Sequence, residues 1–373
     1  MKKRIIAALI ALVLILALCA GCGAKPVSTG KTGVVRDEEF GNVYIAPTID
    51  EFNALGFAFG DSVDIKFDNG VVLRDIPYYS GYYVPVGELL LCGYPGYPHP
   101  VVARNYGDPT WEEFGMNEAS KVTVTLNAKG KYAANQEFFA LSYSDERSDF
   151  DSDIKFANFR EVRGGGLKEG LLYRSASPCD DQHNRAAYAD ALAEEAGVAF
   201  VLNLSDTEKT YAEHASAEGF GSEYYDALCK DGKVLLLGLN ANYRADGFAK
   251  TISGALAVMA ENDGPCLIHC VEGKDRTGFV CALLLALAGA SSQEIIDDYM
   301  ITYDNYYGVT KDDMPDKYEA IKGNVDDFLL CLCQVEKGAD IESLDLKAGA
   351  ESYLRRGGLT EDEIAAIEAY LAG

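Results

Sequence analysis

A cysteine and an arginine stand six positions apart at Cys270 and Arg276, separated by Val271, Glu272, Gly273, Lys274 and Asp275. This spacing leaves a loop just long enough for its backbone N–H groups to curl around one tetrahedral anion without help from a metal ion. Gly273 lets the backbone approach closely or take a positive φ. Arg276 presents a planar fork to two oxygens of the anion, which a lysine does not. A thiol in such a field, beside Arg276 and Lys274, is expected to ionise below the free-cysteine value of about 8.5. The chemistry this set permits is attack of a cysteine thiolate on a bound phosphate ester, with no metal and no cofactor.

The neighbouring residues extend that reading. Thr277 is expected to donate a hydrogen bond to the sulfur and help it leave, while His269 braces the loop through backbone hydrogen bonds. Val271, Glu272, Gly273, Lys274 and Gly278 complete the phosphate-binding backbone, and Lys274 adds a second cationic contact. The leaving oxygen needs a proton, usually from a carboxylic acid. Asp275, inside the loop, is the first choice; Asp206 and Asp246 are upstream alternatives, and the choice among the three stays open.

A loop of this kind must hang between a strand and a helix. Residues 266–269 read as a buried strand, and residues 279–288 are apolar on every face, as a buried helix requires. Another buried strand is expected over residues 198–204 after a helix over 184–196, and a further helix lies around 249–261. Ser291 with Glu294, and Thr360 with Glu363, form capping boxes that open the last helices. This alternation predicts an α/β domain over residues 149–373, a central, mostly parallel sheet flanked by helices. Upstream, residues 37–148 carry short alternating runs punctuated by turns, as in 62–67, 88–92 and 121–126. They predict a small all-β domain, a barrel or a sandwich. Residues 59–64 and 86–90 are similar to the β-barrel half of the S-adenosylmethionine hydroxide adenosyltransferases, and no nucleotide chemistry follows from that likeness.

The stretch over residues 156–307 resembles the bacterial tyrosine and dual-specificity protein phosphatases, whose loop reads H-C-x-x-G-K-D-R-T-G. Their upstream N-F-R and L-Y-R-S segments match Asn158, Phe159 and Arg160, and then Leu172, Tyr173, Arg174 and Ser175. The segment from Glu294 to Met300, with Asp297, Asp298 and Tyr299 inside it, fits as well. The resemblance implies a phosphate-monoester hydrolase working through a cysteinyl-phosphate intermediate, directed at phosphotyrosine with possible dual specificity. Arg160 and Arg174 either support the pocket or simply pair with carboxylates. Alternatives are an inositol-phosphate or phosphoinositide phosphatase, and a phospho-ligand-binding lipoprotein with little turnover.

The N-terminus reads as a processing signal. Lys2, Lys3 and Arg4 precede an uninterrupted apolar run over residues 5–20, and Ala20 and Gly21 stand before Cys22. This pattern resembles a bacterial lipobox, with Cys19 where leucine is usual. It implies a lipoprotein signal over 1–21, a lipid on Cys22, a tether over 22–36, and export to the outer face of the cell membrane. Loss of the three basic residues takes the formal charge from −25 to −28. So acidic a chain excludes a nucleic-acid partner. Of ten cysteines, eight lie beyond Cys22, mostly in apolar runs, and are expected as buried small hydrophobes. The expected partners are a phosphorylated protein or small phosphate ester, and the membrane through the lipid.

Overall fold

The computed structural model describes residues 26–336 and 338–373. The signal over 1–21 and the lipidation site Cys22 lie outside them. The chain divides into two compact units, one reaching Asn105 and including Pro109–Phe138, the other made of Tyr106–Asp108 and Phe139–Gly373.

The first unit is a closed barrel in the order β1-β2-β6-β5-β4-β3-β7. Its strands are β1 (Thr32–Arg36), β2 (Val43–Ile45), β3 (Ser62–Phe67), β4 (Val72–Tyr79), β5 (Leu89–Cys92), β6 (Val101–Arg104) and β7 (Lys121–Ala128). Alternation decides the interior: Val63, Ile65 and Phe67 of β3 and Val122 and Val124 of β7 are buried with at most 1% exposure. Closure removes the free edges that an open sheet would leave. Two expectations need correcting. The unit is not all-β, because it also carries the helices Ile49–Ala54 and Thr110–Glu113, the first opened by a Thr48 capping box. Nor do residues 22–36 form a tether throughout, since Thr32–Arg36 is a strand paired with both β2 and β7. Composition there reads as a loop, but cross-strand pairing and burial of Val34 decide the conformation.

The second unit holds a five-stranded sheet in the order β11-β10-β12-β9-β8. Its members are β8 (Arg160–Glu161), β9 (Leu172–Ser175), β10 (Phe200–Asn203), β11 (Val234–Leu236) and β12 (Cys266–His269). All neighbours are parallel except β8 against β9. Strands buried on both faces need apolar residues at every position, and the two faces feed different cores. Phe200, Leu202, Cys266 and Ile268 pack into one cluster, while Val201 and Leu267 point into the other. The helix expected over 184–196 spans Ala186–Glu195, and that around 249–261 spans Asp246–Ala260. The helix expected over 279–288 spans Asp275–Leu287, and every residue from Arg276 onward is buried. Both capping boxes form, opening Ser292–Tyr307 and Glu361–Ala372. The unit begins ten residues before the expected boundary of 149, at Phe139. Among the described residues no helix is long and apolar enough to cross a membrane. All eight described cysteines are free thiols, six of them buried.

Candidate active site

Register places the ends of three strands at one level, for His269 of β12 pairs with Asn203 of β10 and Ser175 of β9. Cys270 follows at once, at the carboxyl end of the central strand where open α/β sheets bind their ligands. The loop then turns through Gly273 at φ 67° into the helix starting at Asp275. Only glycine fits there: a Cβ would stand 2.1 Å from the Ser175 carbonyl oxygen. Gly278 is constrained in the same way by the Tyr299 ring, 2.7 Å from where its Cβ would be.

A polar shell grips the loop by its carbonyls. Tyr306 donates to the Glu272 oxygen at 2.8 Å, and Asn158 Nδ2 reaches the oxygens of Glu272 at 3.2 Å and Gly273 at 3.3 Å. Arg174, with no solvent exposure, donates to Gly273 O at 2.8 Å and to Lys274 O at 3.3 Å. Asp298 bridges two guanidiniums, receiving Arg174 Nη1 and, at 3.2 Å, Arg160 Nε. Burial pushes the Asp298 carboxyl up, but the charges of Arg174 and Arg160 override it and hold it below the usual carboxylate range. Burial and the neighbouring Arg174 lower Arg160 to about 10, which leaves it charged at neutral pH. Arg160 also holds Asn158 Oδ1 at 2.7 Å, so the N-F-R and L-Y-R-S segments meet beneath the loop.

His269 is fully buried, and burial drives its imidazole down to about 4. Its Nδ1 lies 3.3 Å from the Cys270 carbonyl, an acceptor, so Nδ1 carries the proton and Nε2 accepts from the Tyr225 hydroxyl at 3.4 Å. The chain continues: Asn203 Nδ2 donates to Tyr225 at 2.8 Å and to Asp206 Oδ2 at 2.9 Å.

The three candidate acids therefore differ in surroundings. Asp206 is buried and receives Asn203, Thr210 at 3.0 Å and His214 at 3.2 Å. Burial opposes its ionisation, but these partners hold it well below the usual range, which suits an anchor and not a proton donor. Asp246 opens a helix with its side chain 91% exposed, 3.8 Å from Arg356. Asp275 sits at the mouth of the loop with a 34% exposed side chain, and the Tyr299 hydroxyl donates to it at 3.1 Å. Arg276 is 8% exposed and donates to the Leu239 carbonyl at 3.0 Å. The Thr277 hydroxyl is buried without a hydrogen-bond partner among the described residues, so the expected bond to the Cys270 sulfur is not made in this state. Lys274 is nearly buried, 3.0 Å from Glu272 and 3.3 Å from the Tyr307 hydroxyl.

Comparison with known proteins matches residues 155–373 to the model of the tyrosine phosphatase family. The chain belongs to the tyrosine phosphatase family. It is similar to a tyrosine-protein phosphatase of Nostoc commune, 46% identical over 55 residues, which is 15% of this chain and 19% of the relative. A Cupriavidus necator protein named putative tyrosine-protein phosphatase is 29% identical over 169 residues, 39% of this chain and 59% of that protein. A protein of Mycobacterium tuberculosis named triple specificity protein phosphatase is 49% identical over 41 residues, 11% of this chain and 15% of the relative. The matched stretches thus span from 15% to 59% of the length of these relatives.

For this family member, sequence reasoning assigned no role to Asn203, Tyr225, Asp298 and Tyr306, nor to Tyr143, whose hydroxyl donates to Glu272 Oε1, or Thr302, whose hydroxyl accepts from Asn158 Nδ2 at 3.2 Å. One signal was available. Asp298, Thr302 and Asn305 recur at helical spacing within the helix Ser292–Tyr307, a polar stripe on an element that also buries Tyr299, Tyr303 and Tyr306. A buried polar stripe needs partners, and here these are Arg160, Arg174 and Asn158.

Proposed function

We propose that this protein hydrolyses phosphate monoesters through a cysteinyl-phosphate intermediate, with phosphotyrosine in proteins as its main substrate and phosphoserine or phosphothreonine as further ones. The observation that carries the reading is the grip on the carbonyls of Glu272, Gly273 and Lys274. Peptide planes whose oxygens are drawn into the shell turn their N–H groups the other way, toward a phosphate seated above Cys270. The names of the relatives point to the same class.

In this reading the Cys270 sulfur attacks phosphorus in line with the ester oxygen, forming the S–P bond as the P–O bond breaks. Arg276 swings its fork onto two non-bridging oxygens as charge spreads over them. Asp275 gives its proton to the departing alcohol or phenol oxygen. Water then attacks the phosphocysteine, Asp275 takes its proton, and the thiolate leaves with inorganic phosphate. Thr277, its hydroxyl unpaired in this state, rotates toward the sulfur as negative charge returns to it. Tyr143 and Tyr307, half-buried and in edge contact with each other, supply aromatic surface beside the loop for a phenyl ester.

An inositol-phosphate substrate would draw on Lys274 as a second cation, and the Glu272 carboxylate beside that lysine favours the phosphotyrosine reading. Turnover of phosphotyrosine peptide, phosphoserine peptide and inositol phosphates in the presence of chelator tests the proposal. Faster release from the tyrosine peptide supports it, and no release from any ester leaves a phosphate-binding module instead. We also propose export and anchoring through a lipid on Cys22, supported by the basic start, the apolar run and the Ala20-Gly21-Cys22 sequence.

A further inference from the structure

The loop carries an acid, Glu272, between its nucleophile and its phosphate clamp. A carboxylate there works against anion binding unless something fixes its charge elsewhere. Its side chain is 15% exposed and its Oε2 stands 3.0 Å from the ammonium of Lys274, itself 9% exposed. Burial pushes the Glu272 carboxyl up, while Lys274 and the Tyr143 hydroxyl bring it below its ordinary range, so it is an anion at neutral pH.

The acid is pinned as well as paired. Tyr143 donates its hydroxyl to Glu272 Oε1, the oxygen not facing Lys274. The Tyr143 ring stacks on Tyr306 at 5.0 Å and 26°, with the Arg185 guanidinium 4.9 Å from its centre. Arg185 is 2% exposed and bound at 2.7 Å to Asp145 and at 2.9 Å to the Phe156 carbonyl. A side chain held on both oxygens, by a buried lysine and by a half-buried tyrosine whose ring is packed against Tyr306 and Arg185, does not swing aside when a ligand arrives.

We infer that Glu272 sets the substrate class of this site: by neutralising Lys274 it makes the loop select a single phosphate on an aromatic group and reject substrates bearing a second phosphate beside the first. This rests on the proposed function. Lys274 alone would attract a neighbouring phosphate; Glu272 cancels that charge and repels the second phosphate directly. Tyr143 is a positioning residue that keeps the carboxylate against the lysine.

Binding in a Cys270→Ser background tests this independently of turnover, because it needs no nucleophile. The probes are inorganic phosphate and inositol hexakisphosphate, titrated calorimetrically at one fixed ionic strength. Glu272→Gln, close in size, is expected to raise the ratio of hexakisphosphate to phosphate affinity by about tenfold, and the gain should vanish in Glu272→Gln combined with Lys274→Ala. Tyr143→Phe, which leaves the charge but frees the carboxylate, is expected to raise it by about threefold and serves if the Glu272 variant does not fold. A ratio within about twofold of the parent in the folded variants, or a gain that survives loss of Lys274, overturns the inference. Failure of the parent enzyme to release phosphate from any ester would overturn the proposed function and leave this binding ratio readable.

Discussion

Arg174 reaches the carbonyl oxygen of Gly273 at 2.8 Å from a side chain with no solvent exposure, while its other terminal nitrogen is bound to Asp298. One buried cation thus fixes both the shape of the loop and the helix Ser292–Tyr307 behind it. Asp298→Asn leaves Arg174 and Arg160 buried without their shared counter-charge, a change expected to cost about 3–5 kcal/mol in chemical unfolding. Arg174→Lys keeps the charge but loses the fork, and kcat/KM is expected to fall roughly a hundredfold through misplacement of the loop. A full-rate Arg174→Lys enzyme would show that the carbonyl bonds do not shape the site.

At the reacting atoms, Cys270→Ser is expected to end turnover but keep phosphate or vanadate affinity, since the backbone cradle survives. Arg276→Lys is expected to lose affinity and rate together, because the lysine presents no bidentate fork. Activity in excess chelator is expected to equal that without it. A requirement for added divalent cation would rule out this mechanism.

The loop was legible because its chemistry is contiguous: Cys270, Gly273 and Arg276 belong to one strand–loop–helix junction. The support was legible only as fragments. Nothing near Arg174 in sequence reveals that it meets Gly273 and Asp298, 99 and 124 residues away, so whether it served the pocket stayed open. Tyr143 was placed in the β-rich part, yet it belongs to the second unit and reaches Glu272, 129 residues on. Strand β1 hid for a related reason: Gly33 is a poor local strand former inside a short run, and pairing with β2 and β7 decides its state.

His269 provides a pH signature. Burial holds its imidazole down to about 4, whereas the unfolded chain takes up that proton near pH 6.5. Stability from the neutral ring is therefore fully present above about pH 6.5 and is lost as pH falls toward 4. His214 titrates on the other side, raised by its hydrogen bond to Asp206, and Asp206, held low, responds only at more acid pH. Thermal melts of His269→Asn between pH 6.5 and 4.5 are expected to decline less steeply than those of the parent. Parallel slopes would mean that the ring is already protonated in the fold.

Membrane attachment has its own test. A diacylated cysteine buries two chains at roughly 0.8 kcal/mol per methylene, enough for stable anchoring. Cys22→Ala is expected to move the protein from the membrane fraction to the soluble fraction or to leave it unprocessed. Unchanged fractionation would point to a retained N-terminal helix.

The proton for the leaving group is the remaining assignment. Asp206 is held by Asn203, Thr210 and His214, so Asp206→Asn is expected to lower stability first, with any loss of rate independent of the ester. Asp246 has a 91% exposed side chain near Arg356, and Asp246→Asn is expected to be nearly silent. Asp275 is inside the loop, oriented by the Tyr299 hydroxyl at 3.1 Å and open enough to exchange protons with solvent. Alkyl phosphates depart as strong bases and need the proton in the transition state, whereas activated aryl phosphates depart with little help. Asp275→Asn should accordingly slow alkyl esters by about 100-fold or more and activated aryl esters by under about tenfold, with Tyr299→Phe a weaker copy of the same pattern. Equal slowing of both ester classes by Asp275→Asn, with the leaving-group dependence appearing in Asp246→Asn or Asp206→Asn, would transfer the role to an upstream loop.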